Sequence, residues 1–445
     1  MRRWGKALAA LTLCLVLSGC SLFAPVRELL AVPSFSAQNE AIKRAFESDY
    51  GIHVQYKSPI SGPYLSSFVV SDLDSDGADE ALVFFLPDSF TTTVHVAILD
   101  CVDGTWQRTG ELEGGGSDVY SVETIDLDAD GLSEVILCWS TLESSRVMSI
   151  YGCTDAPFSL VRLSEHAYTE KLAVDLDGDA NTEIFTIDLY SAGGSQTAQA
   201  RVLRKTESGI SVLDKCDLDS KVSGYGGISV QRTDSGSVLY VDAYKGELQM
   251  ITEVLCWQTQ TASLRAPLLD SETLTNELTW RDTSAPCRDV NGDDVPEIPC
   301  QREPLENSEI WKDDVRLDRR LYITQWCAFR GDELVPVLET LVHGARWMFT
   351  IPQTWQGRFT VRMDQDADKW TFYETDPVTG ESVGYLCSVI FTTKTRWEGN
   401  RSGAYADYTV LCAENEDVVL VYGINTESPL GVAEAQLREA FGYLG

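Results

Sequence analysis

Basic residues are scarce in this 445-residue chain. Lys and Arg number 35 against 68 Asp and Glu, a formal charge of −33. Neutralising phosphates needs a basic face, so this balance excludes a general nucleic-acid binder. Long apolar runs are missing after the first twenty residues, which excludes a polytopic helical membrane protein. Histidine is rare: His53, His95, His166 and His343 are the full set, with none in H-E-x-x-H and no pair at metal-ligand spacing. There is no G-x-S-x-G, no P-loop and no dinucleotide fingerprint. Gly114-Gly115-Gly116 leads into Ser117-Asp118-Val119 and reads as a connecting loop rather than a phosphate cradle. No C-x-x-C pair exists among the 12 Cys, which argues against a zinc knuckle or a thioredoxin-like site. Core material is not lacking. At 44% hydrophobic and 10% aromatic residues the chain is globular, and its length suggests about three domains.

The one apolar run opens the chain. Arg2, Arg3 and Lys6 precede Ala7–Leu17, a stretch too short for a bilayer core of about 30 Å, so residues 1–19 read as an export signal. The run ends in Leu17-Ser18-Gly19-Cys20, which resembles the lipobox of bacterial lipoproteins. That resemblance implies a diacylated Cys20 as first mature residue and an extracytoplasmic protein tethered to the bacterial membrane. Residues 20–36 are then the lipidated Cys and a spacer. Residues 37–59 hold a short amphipathic helix and an entry strand, with Ala41, Ile42, Ala45 and Phe46 on one helix face and Gly51 ending it. Export permits disulfides. Most cysteines lie in apolar runs and read as small buried hydrophobes, with Cys287 and Cys300 a candidate pair across one loop.

Four nine-residue segments share a pattern. They are Asp72–Glu80, Asp126–Glu134, Asp175–Glu183 and Asp289–Glu297. Oxygen-bearing side chains recur at positions 1, 3, 5 and 9: Asp72, Asp74, Asp76 and Glu80; Asp126, Asp128, Asp130 and Glu134; Asp175, Asp177, Asp179 and Glu183; Asp289, Asn291, Asp293 and Glu297. The segments hold 17 of the acids and no Lys or Arg. Calcium takes six to eight hard oxygens at about 2.3–2.6 Å, and alternate residues of a coiled loop can supply them. The position 7 carbonyl (Ala78, Leu132, Asn181, Val295) is a further ligand candidate. A residue with φ > 0 at position 6 lets the chain double back. Gly77 and Gly131 suit that role, while Ala180 and Asp294 suit it less, so the loops at 72 and 126 are the strongest of up to four Ca²⁺ sites. An EF-hand is excluded, because position 12 is Val83, Leu137, Thr186 or Cys300 and the flanks are strand-like.

Acid at position 9 between two strands resembles the FG-GAP repeats of integrin-type β-propellers and the VCBS-type repeats of bacterial surface proteins. The first Asp falls at 72, 126, 175 and 289, and the 114-residue step leaves room for a unit without ligands near Gly227–Val241. Four strands per unit of about 50 residues suit a propeller blade. The expectation is a mainly β chain: a propeller-like array of about five four-stranded blades over 60–342, then a small antiparallel α+β domain over 343–445. The layout resembles lipoproteins of anaerobic Gram-positive bacteria that pair such repeats with a C-terminal module, a resemblance that implies no activity. No catalytic residue is assigned. Asp364, Asp366 and Asp368 read as a hairpin tip, and the tryptophans as mostly packing. The functional expectation is a non-catalytic binding or scaffolding module for an envelope protein or glycan. The alternatives are an envelope enzyme acting on polysaccharide or peptide, and a sensor or assembly partner working through the C-terminal domain.

Overall fold

A computed structural model describes residues 37–444 except 89, 142–145, 155–157, 247–248, 305–320, 345 and 365. The expected signal at 1–19, Cys20 and the spacer to 36 lie outside the described residues. The fold is mainly β, built of antiparallel sheets whose strands mostly follow one another in chain order. The described residues divide into two compact units. One holds those up to Thr124 with Val135–Leu142 and Tyr151–Val161, the other Ile125–Glu134, Glu143–Ile150 and those from Arg162 on.

The first unit opens with helix α1, Ala37–Tyr50. Its expected apolar face is the one it buries, through Ile42 and Phe46. Gly51 ends it at φ +78°, donating its N–H to the Glu47 carbonyl at 2.9 Å. Phe46 meets Phe85 edge-on, ring centroids 5.0 Å apart. Phe85 lies on Glu80–Leu86, a strand buried along nearly its whole length because its run of apolar residues has no polar face. That strand pairs with Phe68–Ser71, with Gln55–Tyr56 and with His95–Val102, which pairs in turn with Thr105–Glu113. The triple glycine lies against Trp139: a Cβ on Gly114 would come within 2.8 Å of the indole, and one on Gly116 within 2.3 Å of the Ser140 carbonyl. Close packing therefore accounts for these glycines.

A further sheet orders Asp118–Ile125, Glu134–Ser140, Arg146–Thr154 and Ser159–Tyr168. In the second unit the third sheet runs Glu170–Val174, Glu183–Ala192, Ser195–Thr206, Gly209–Asp217. The fourth runs Gly224–Thr233, Gly236–Tyr244, Met250–Gln258, Ser263–Arg265. It is the strand–turn–strand unit without ligands, closed by a tight turn at Asp234-Ser235. The fifth runs Glu297–Pro304, Tyr322–Arg330, Glu333–His343, Trp347–Thr350, Phe441–Tyr443. Position 343, the expected start of the C-terminal domain, thus falls within a sheet that strands from beyond it complete. The sixth sheet is Phe359–Asp364, Lys369–Thr375, Ser382–Thr393, Asp417–Tyr422 and Thr409–Glu414. Helices α2 (Lys394–Asn400) and α3 (Glu434–Ala440) accompany it. Trp139, Trp257 and Trp326 are core residues, as expected of most tryptophans. Cys287 and Cys300 are free thiols in an apolar cluster with Cys256 and Cys327, so the candidate disulfide is replaced by packing.

Candidate metal centre

All four acidic segments fold into the same loop between two antiparallel strand segments. The position 9 Glu is buried in each (Glu80, Glu134, Glu183, Glu297) and accepts the position 2 N–H from Leu73, Leu127, Leu176 or Val290 at 2.7–3.1 Å. The position 1 Asp accepts the position 6 N–H, and the position 5 Asp the position 7 N–H. Position 2 is apolar because it is the loop's anchor: Leu73, Leu127 and Leu176 are buried. Glu rather than Asp at position 9 follows from the span its carboxylate bridges.

Positive φ occurs at two positions of every loop, not one. Position 4 is Ser75 (61°), Ala129 (56°), Gly178 (83°) and Gly292 (81°); position 6 is Gly77 (91°), Gly131 (90°), Ala180 (73°) and Asp294 (62°). Each loop has one glycine at one of the two. The backbone therefore turns alike in all four loops, and position 4 shares the demand that the sequence placed on position 6 alone.

Positions 1, 3 and 9 gather into carboxylate triads in three loops: Asp72, Asp74 and Glu80; Asp126, Asp128 and Glu134; Asp175, Asp177 and Glu183. In each, one oxygen per residue lies within 4.8 Å of the others. Two oxygens on one Ca²⁺ at about 2.4 Å are separated by no more than about that distance, so the triads fit a hard cation. Position 5 (Asp76, Asp130, Asp179) lies outside these triads. The fourth loop has the neutral Asn291 at position 3 and so lacks the third carboxylate. There the Asn291 amide donates to Glu297 at 2.7 Å and to Asp293 at 3.3 Å.

The centres of the three triads differ. In the second loop Lys205 Nζ lies 2.8 Å from Asp128, 3.2 Å from Asp130 and 2.8 Å from Glu134. In the third, Arg204 lies 2.5 Å from Asp177, 3.4 Å from Asp179 and 2.6 Å from Glu183, and Arg232 pairs with Asp175 at 3.1 Å. Among the described residues no Lys or Arg makes an ion pair with Asp72, Asp74 or Glu80. Opposite Glu80 in the sheet stands Asp100. In the third sheet the corresponding place belongs to Arg204, since Ile184 pairs with Leu203.

The titration behaviour follows. Burial, then the neighbouring Asp74 and Asp100, push the Glu80 carboxyl up to about 7 against the pull of the Leu73 N–H. Burial and the surrounding carboxylates also raise Asp74. Burial raises Glu134 and Glu183 too, opposed there by Lys205 and Arg204. Burial works to lower Lys205, but its bonds to Asp128, Glu134 and Asp130 outweigh it and raise its pKa. Two like charges 4 Å apart repel by about 4 kcal/mol at an effective dielectric of 20. The first loop holds such charges with no cationic side chain against them among the described residues.

No known protein family matches the sequence, and no curated protein matches it. Among solved structures the chain is similar to a hypothetical selenium-binding protein from Sulfolobus tokodaii, at 12% identity and a TM-score of 0.28, covering 48% of this chain and 56% of that one. It thus spans little more than half the length of that protein. It is also similar to a candidate 6-phosphogluconolactonase from Bacteroides uniformis, at 12% identity and a TM-score of 0.28, covering 74% of this chain and 93% of that one. Likenesses at that score carry no argument about fold or function.

The sixth sheet region offers a second concave site. A cavity of about 390 Å³ is lined by His343, Arg346, Asp368, Phe391, Arg396 and Asp417, among others. His343 stacks on Phe391 at 3.7 Å and meets Asp368 at 2.7 Å, and Arg346 pairs with Asp417 at 2.9 Å. Asp364 and Asp368 lie at the hairpin that joins two strands of this sheet, where the sequence placed a tip. Among the described residues no helix is long and apolar enough to cross a membrane.

Proposed function

We propose that this protein is an extracytoplasmic lipoprotein, anchored to the bacterial membrane through Cys20, in which Ca²⁺ braces a β-propeller-like array of about five blades. The array serves as a non-catalytic binding or scaffolding module for an envelope protein or glycan. The observation that carries this reading is the triad of Asp72, Asp74 and Glu80, gathered around a common centre beside Asp100 with no cationic partner among the described residues. Such a group calls for a hard divalent ion, and all its donors are oxygen. Bound there, the ion would neutralise the carboxylates and tie the loop to its two strands, which is a bracing role. Chain-order meander sheets and the even spacing of the acidic loops support the blade reading, and the lipobox-like Leu17–Cys20 supports the anchor.

The test is a thermal melt of the full chain in chelator and in Ca²⁺. Ca²⁺ raises the midpoint, and Asp72→Ala removes the rise; identical curves in both buffers refute the metal assignment. Cys20→Ser releases the protein from the membrane fraction if the anchor is right. The alternative in which the C-terminal region is the working part draws on the cavity beside His343 and Arg396. Loss of partner capture in an Arg396→Ala chain that melts normally would favour it over the scaffold reading.

A further inference from the structure

We propose that Lys205 and Arg204 are tethered cations that fill the second and third acidic loops in place of a metal ion, leaving the first loop to take its cation from solution. The inference rests on the reading of these loops as cation sites. Both side chains reach the same three loop positions. Lys205 touches positions 3, 5 and 9 of the second loop, and Arg204 touches positions 3, 5 and 9 of the third. Neither is a loose surface group: their side chains are 15% and 23% exposed.

Occupancy is exclusive for steric reasons. An ammonium 2.8–3.2 Å from three carboxylates stands where a Ca²⁺ bound to the same oxygens would have to be. To admit the metal, the loop would have to expel a side chain that is already neutralising it. That would leave an unpaired ammonium or guanidinium with most of its surface covered.

One strand delivers both cations. Arg204 and Lys205 are consecutive on Ser195–Thr206, and successive side chains of a strand point to opposite faces. Arg204 therefore serves the loop of its own sheet, and Lys205 the loop before it. The first loop breaks this scheme with a residue of opposite sign, because Asp100 stands where Arg204 would. The three loops share one backbone and one set of acids, yet among the described residues their centres hold an ammonium, a guanidinium and neither.

Ca²⁺ titration calorimetry on the full chain counts the sites. The expected stoichiometry is one for the wild type, two for Lys205→Met, two for Arg204→Met and none for Asp72→Ala. Lys205→Arg, which keeps the charge, stays at one. Three sites in the wild type, or no added site in either Met variant, overturns the proposal. No site in the wild type together with one in Lys205→Met upholds the tethered cations and refutes the first loop as a metal site. Binding by no chain at all refutes both. Removing Lys205 also exposes the second loop to its own repulsion, so Lys205→Met is expected to melt lower in chelator and to recover in Ca²⁺. A Lys205→Met chain that stays unfolded in saturating Ca²⁺, with Arg204→Met gaining no site, likewise overturns the proposal.

Discussion

Single residues set the shape of the acidic loops. An L-residue in the left-handed region is strained by roughly 1–2 kcal/mol, and glycine is not. Ala129 and Ala180 carry that strain in the second and third loops. Ala129→Gly and Ala180→Gly should each stabilise the protein by up to about 1 kcal/mol, the relief being offset in part by greater freedom of the unfolded chain. Gly131→Ala should cost about 1–2 kcal/mol; urea unfolding measures all three. A second prediction concerns Glu253, which accepts the Asp219 N–H at 2.7 Å and whose carboxyl burial raises to about 7. A raised acid holds its proton more tightly in the fold than in the unfolded chain. Its contribution is therefore full below its ordinary value of 4.5 and is lost as pH climbs through about 7. Glu253→Gln should flatten the fall in stability across that window, measured by urea unfolding in chelator. An undiminished slope would mean other groups cause it.

At the scale of elements, the connection between the fourth and fifth sheets shows what polar burial does. Arg281 is fully buried. Its guanidinium meets Asp242 at 2.8 Å and donates to the Ala285 carbonyl, to Thr252 Oγ1 and to the Thr279 carbonyl, while Asp242 also accepts the Cys287 N–H. This network pins an irregular stretch to the strands Gly236–Tyr244 and Met250–Gln258. Removing one partner leaves a buried charge uncompensated, so Asp242→Ala should cost about 3–5 kcal/mol. The double variant Asp242→Leu/Arg281→Met should recover much of that loss, as a chemical-denaturation series would reveal. Sequence showed α1 and the buried strand Glu80–Leu86 plainly, because each has a single dominant apolar pattern. It also showed the acidic triads, because their spacing is local. It could not show Asp100 and Arg204, which arrive from a neighbouring strand through pairing register, Lys205, which reaches over from the next sheet, or the Arg281 network, whose members follow no period. The signal for Asp100 and Arg204 was the residue opposite position 9 in the next strand. Reading it needs the hairpin register, which a loop's own sequence does not contain.

For the whole molecule, a metal that binds the native state alone adds stability by mass action. At Ca²⁺ about ten times the dissociation constant, one site contributes about 1.4 kcal/mol. Calorimetry should therefore find the wild type more stable in Ca²⁺ by about that amount, and Asp72→Ala unchanged by the ion. Sites of extracellular modules bind at about 10⁻⁴–10⁻³ M, so the effect belongs to calcium-rich surroundings. The alternation of Arg204 and Lys205 has one more consequence, during folding. A one-residue slip of Ser195–Thr206 would turn each side chain to the wrong face. A slip in one direction would bring Thr206 to the place of Lys205 and strand the buried Glu134, and a slip in the other would bring Leu203 to the place of Arg204 and strand the buried Glu183. Misalignment is thus penalised on both sides of the strand, and the chain carries its own proofreading of that pairing.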